Sequence, residues 1–128
     1  MLPDTWDIFT AWTKGGQPIA EGNIPLNHLS GPLLAIAGAD DALWPSPIYV
    51  NAIIGDLRAV HDRYPYQALV YPDAGHRVGT FPFLAEGTVA ANPSTGRVDD
   101  LGGKRAGDAV ARERGWPKVL AFLAGTQR

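Results

Sequence analysis

The chain contains no cysteine, which excludes disulfides, a thiolate nucleophile and thiolate zinc sites within these residues. No apolar run approaches the roughly 20 residues that cross a bilayer. The N-terminal Met1-Leu2-Pro3-Asp4-Thr5-Trp6 shows no basic segment leading into an apolar one, so neither a membrane span nor a secretory signal is expected. Neither sign of charge dominates: 11 basic and 13 acidic residues give a formal net charge of −2, with a pI near 5.8. That balance gives no reason to expect nucleic acid or a membrane surface as partner. The three histidines and the acidic residues fall in no metal-ligand spacing, so no metal and no cofactor are expected. The default expectation is a cytoplasmic protein.

What remains is a chain of 128 residues, 45% hydrophobic and 19% charged, the composition of a soluble globular domain with one core. Fifteen glycines and eleven prolines predict plentiful loops. Residues 1–31, with Trp6, Phe9, Trp12, Gly15, Gly16, Pro18, Gly22 and Pro25, show neither helical nor strand period and read as an irregular arm. Residues 33–38, Leu-Leu-Ala-Ile-Ala-Gly, form a continuous apolar run of the kind buried on both faces of a parallel sheet, although period alone does not exclude a helix.

A helix is predicted over 47–62, with Pro47 at its first position and Ile48, Val50, Ala52, Ile53, Ile54, Leu57 and Val60 as a broad apolar stripe. Tyr64-Pro65 ends it, because the residue before proline avoids the α region. Residues 67–71, Gln-Ala-Leu-Val-Tyr, predict a second strand, stopped by Pro72. Strand, helix, strand at this spacing is a βαβ unit with an expected right-handed crossover.

From Pro72 to Gly103 no period is visible, although Phe81-Pro82-Phe83-Leu84 is too apolar for a simply solvated loop. A last helix is predicted over 104–124, burying Ala106, Ala109, Val110, Val119, Leu120 and Leu123 and kinked or restarted at Pro117. The fold class expected is α/β: two parallel strands, a crossover helix, a long loop and a C-terminal helix, with 1–31 as an arm and 32–128 as the folded unit.

Two motifs carry chemistry. Asp41 lies in Gly38-Ala39-Asp40-Asp41-Ala42-Leu43-Trp44-Pro45 and His76 in Asp73-Ala74-Gly75-His76, each just beyond an expected strand end. Open α/β sheets place their sites at that end. A carboxylate accepting from an imidazole there forms two thirds of a Ser-His-Asp triad, with the histidine as general base. Asp40 competes with Asp41 for the acid's place. The plainer alternatives are a turn and helix cap at Asp40-Asp41 and a surface-loop histidine at 76. His28 and His61 have no comparable context and read as solvent-exposed.

Together these segments resemble the C-terminal region of the acyl-CoA thioesterase and bile acid-CoA:amino acid N-acyltransferase family, within the α/β-hydrolase superfamily. The residues that carry the resemblance are Ile24 to Leu34, Gly38 to Ser46, Tyr71 to His76, Gly102-Gly103 and Ala109 to Leu123, with Ala11 to Ile19 in the arm. The resemblance implies the C-terminal half of an α/β-hydrolase fold and a place in fatty acid metabolism. It further implies Asp41, three residues after Gly38, as triad acid and His76 as base. Family members carry a Gly-x-Ser-x-Gly or Gly-x-Cys-x-Gly elbow upstream; none of Ser30, Ser46 or Ser94 stands in one here, and the family's N-terminal β-sandwich has no counterpart in these residues.

Two functions of different class follow. In one, the chain contributes Asp41 and His76 to hydrolysis or transfer of an acyl-CoA, or another thioester or ester, once a nucleophile-bearing segment completes the site. In the other it is a non-catalytic remnant or interaction module that assembles through its sheet edge, as a homo-oligomer or with a partner chain.

Overall fold

The computed structural model describes residues 13–14, 17–18, 26, 28–60, 63–79, 88–91 and 93–126. At its centre β3 (Leu33–Gly38) and β4 (Tyr66–Tyr71) pair in parallel, in register from Leu33 opposite Tyr66 to Gly38 opposite Tyr71. The two strands are joined through α1 (Ser46–Ala59), and the chain ends in α2 (Arg105–Gly125). This is the expected βαβ unit of an α/β fold.

Side chains alternate across the sheet, and the two cores follow that alternation. Leu34 and Ile36 of β3 join Leu69 and Tyr71 of β4 against Ala111 of α2 and against Ala74 and Val78 from the chain that follows β4. Ala35, Ala37 and Tyr66 take the other face, against Val50 and Ile54 of α1. Helices therefore lie on opposite faces of the sheet, which is why residues 33–37 are apolar without interruption. The carboxyl ends of both strands open toward the turns that carry Asp41 and His76.

Several expectations are corrected. Helix α1 stops at Ala59, with the Val60 N–H returning to Asp56 O, and residues 61–62, with His61, lie outside the described residues. Its buried stripe is narrower than predicted: Val50, Ile54 and Leu57 are buried while Ile48, Ala52 and Val60 are exposed. At about 100° per residue, 50, 54 and 57 share one side and 48 and 52 fall opposite.

In α2 the buried face is Asp108, Ala111, Arg112 and Gly115, with Ala109 and Val119 half-buried and Ala106, Val110, Leu120 and Leu123 exposed. Gly107 brings the start of the helix close to the chain leaving β4. A Cβ at Gly107 would overlap the backbone of Asp73. An apolar count cannot register such a contact, because what matters there is the lack of a side chain. Pro117 does not divide α2. Glu113, whose carbonyl loses its donor one turn on, is itself exposed, so water can replace that bond.

The stretch 72–103 is less irregular than its sequence suggests. A 3₁₀ turn spans His76–Gly79, and β5 (Val89–Ala91) pairs antiparallel with β6 (Val98–Asp100). Three-residue strands are too short to display a period. The same holds for the arm, where β1 (Thr13–Lys14) pairs antiparallel with β2 (Gln17–Pro18). Phe81 to Leu84 and most of the arm lie outside the described residues.

Candidate functional site

The turn after β3 begins where Ala39 N donates to Tyr71 O at 2.9 Å and Asp40 N to Ala74 O at 3.0 Å. These bonds hold the end of β3 against the chain leaving β4. The next residue, Asp41, has a side chain only 2% exposed, surrounded by donors. Its Oδ1 accepts from Leu43 N at 2.9 Å and Trp44 N at 3.0 Å. Its Oδ2 accepts from Ser46 Oγ at 2.5 Å and lies 3.0 Å from His76 Nδ1. Asp41 thus forms the local turn through Oδ1 and meets the histidine through Oδ2, while the expected helix cap is corrected: the N-cap position of α1 is Pro45, and no side-chain hydrogen bond caps it. Asp40 is exposed and takes part through its backbone.

His76 begins the 3₁₀ turn, its ring 30% exposed. Consecutive amides pin its backbone: Gly75 N donates to Asp108 Oδ1 at 2.9 Å and His76 N to Leu101 O at 2.8 Å. Of the two ring nitrogens it is Nδ1 that faces Asp41, and against a carboxylate, which only accepts when ionised, the matching tautomer is the one with the proton on Nδ1. The indole of Trp44, 53% exposed, stands edge-on to the imidazole with centroids 5.3 Å apart.

A third segment binds the two turns to each other. Leu101 O accepts from both His76 N and, at 3.4 Å, Ala42 N; Gly103 N donates to Asp40 O at 3.0 Å; and Asp41 bridges Gly102. Gly102 and Gly103 have φ of +70° and +69°, where L side chains are strained. A Cβ on either would strike the acid turn or the Gly75 backbone. Lys104 N then donates to Asp73 O at 2.7 Å, and Lys104 Nζ meets Asp73 Oδ1 at 2.5 Å. That pair raises the Lys104 pKa above its ordinary value.

Sequence reasoning located Asp41 and His76, which the fold brings together across 35 residues, and read His28 as exposed, where it lies. It missed three contributors. Ser46 and Trp44 stood in the quoted motif without a role. Asp108, 1% exposed, carried one faint signal, an acidic residue in register with the small residues of α2. Among the described residues, no group of three or more His, Cys, Asp or Glu could hold a metal ion, and no helix is long and apolar enough to cross a membrane.

Comparison with known proteins gives a consistent set. Residues 5–126 match the family described as BAAT / Acyl-CoA thioester hydrolase C terminal. Three mouse (Mus musculus) proteins are similar at low identity. Acyl-coenzyme A thioesterase 6 is 27% identical over 121 residues, covering 91% of this chain and 28% of that protein. Peroxisomal succinyl-coenzyme A thioesterase is 28% identical over 100 residues, 78% of this chain and 23% of its own length. Acyl-coenzyme A amino acid N-acyltransferase 1 is 29% identical over 100 residues, 78% and 24% respectively. The chain therefore spans under a third of the length of each relative.

Proposed function

Since the chain belongs to the BAAT / acyl-CoA thioester hydrolase C-terminal family, we propose that it supplies the acid and base of an acyl-CoA thioester hydrolase or acyltransferase site. In this reading His76 is the general base and Asp41 orients it, on the C-terminal half of an α/β-hydrolase fold. The supporting observation is the 3.0 Å approach of His76 Nδ1 to the buried Asp41 Oδ2, with the ring partly open to solvent. A hydroxyl or thiol on a segment outside these 128 residues attacks the thioester carbonyl. His76 Nε2 takes its proton, and Asp41 stabilises the resulting imidazolium without accepting that proton. His76 then returns the proton to the leaving thiolate, and the acyl group passes to water or to an amine.

The comparison with relatives supports thioester chemistry but not the choice of acceptor, since two of the similar proteins are named thioesterases and one an N-acyltransferase. No nucleophile elbow occurs in this sequence. Loss of a triad nucleophile costs roughly 10⁶ in kcat in a well-studied case. The chain alone is therefore expected to hydrolyse acyl-CoA no faster than buffer, in a thiol-release assay. Hydrolysis above that rate which His76→Ala abolishes would overturn the placement of the nucleophile on another segment.

A further inference from the structure

Asp41 Oδ2 serves two donors, and the nearer is not the histidine. Ser46 Oγ lies 2.5 Å from that oxygen and His76 Nδ1 3.0 Å. The first distance falls in the range of charge-assisted O–H···O⁻ bonds. A serine at a helix start ordinarily turns its hydroxyl to the free amides of the first turn. In α1 the N-cap position is Pro45 and no side chain caps the helix; Ile48 N and Tyr49 N instead reach Pro45 O. The single proton of the Ser46 hydroxyl is committed to Asp41.

We propose that Ser46 is a positioning residue of the site, whose hydroxyl shares Asp41 Oδ2 with His76 and so sets how strongly the carboxylate holds the imidazole. Oδ1 is already fixed by the Leu43 and Trp44 amides, so the plane of the carboxylate does not depend on Ser46. What the hydroxyl controls is the charge left on Oδ2 for Nδ1–H. With Ser46 in place that charge is divided, and the imidazole is held in orientation without being pulled hard toward the carboxylate. Without it the whole of Oδ2 faces His76, and the Nδ1–H···O bond shortens. Ser46 is half-buried at the first turn of α1, so its truncation removes a hydroxyl and leaves both sheet cores intact.

This inference rests on the acid–base reading of Asp41 and His76, and the experiment separates the two. The His76 Nδ1 proton is observed by proton NMR in nitrogen-15-labelled wild-type chain, Ser46→Ala, Ser46→Thr and Asp41→Asn. The expected result is a downfield Nδ1–H signal in wild type, moved further downfield in Ser46→Ala, restored to the wild-type position in Ser46→Thr and lost in Asp41→Asn. An unmoved signal in Ser46→Ala, or an equal displacement in the Ala and Thr variants, would overturn the role of Ser46 while leaving the Asp41–His76 pair standing. A wild-type signal indifferent to Asp41→Asn would overturn the pair itself.

Discussion

Asp41 shows how one residue satisfies two demands that a sequence presents as rivals. Its Oδ1 closes a local turn through Leu43 and Trp44, and its Oδ2 faces His76 from 35 positions away. The turn is the reason the carboxylate is aimed, because a side chain fixed at one oxygen has only the other to offer. Tyr71 presents the opposite case, a buried polar atom without a task. Its hydroxyl has no hydrogen-bond partner among the described residues, and burial pushes its pKa up, with Arg114 working in the other direction. A raised folded-state pKa gives stability that is fully present below the unfolded value of roughly 10 and is lost as pH rises through the folded value. Tyr71→Phe should therefore stay within about 1 kcal/mol of wild type at neutral pH and lose less stability above pH 10. Denaturant midpoints across pH 7 to 11 test this. A clear loss at neutral pH, or an unchanged alkaline decline, would contradict it.

At the scale of elements, α2 does more than cover the sheet. Through Asp108 it holds the Gly75 amide that precedes His76, and Lys104, just before its first residue, holds the Asp73 turn at the end of β4. The Asp108 carboxylate is buried and its Oδ2 has no hydrogen-bond partner among the described residues, a costly placement for an acid. The observed return is a fixed backbone under the histidine. Asp108→Ala should cost about 1–3 kcal/mol by orphaning that amide and should remove the exchange protection of Gly75 N–H. Asp108→Asn, which keeps an acceptor, should retain the protection. Full protection of Gly75 in the alanine variant would show that the turn is held by other means.

Across the whole molecule, the parts legible in sequence were those whose signal is local. The run Leu33 to Gly38 and the segment ending at Tyr71 declared themselves as strands, because continuous apolarity and flanking proline are local properties. Asp41 and His76 could be singled out because each follows such a strand. The buried face of α2 was misread because it is built from Asp108, Ala111, Arg112 and Gly115, two charged and two small residues that an apolar count passes over, and because Gly107 matters through close approach to Asp73. The hairpin of β5 and β6 stayed hidden because three residues carry no period, and Ser46 because its partner is a side chain already assigned to another bond. What the fold adds to the sequence is a convergence of three turns, around residues 40–44, 73–79 and 101–104, on a single carboxylate–imidazole pair.

That pair is the centre of the account, and the tautomer of His76 tests it most directly. Nitrogen-15 shifts of the imidazole in the labelled chain at neutral to mildly alkaline pH should show Nδ1 protonated and Nε2 bare, with Asp41→Asn disturbing that preference and Asp40→Asn leaving it intact. A ring protonated on Nε2, or one indifferent to Asp41→Asn, would contradict the assignment of His76 as a base oriented by Asp41.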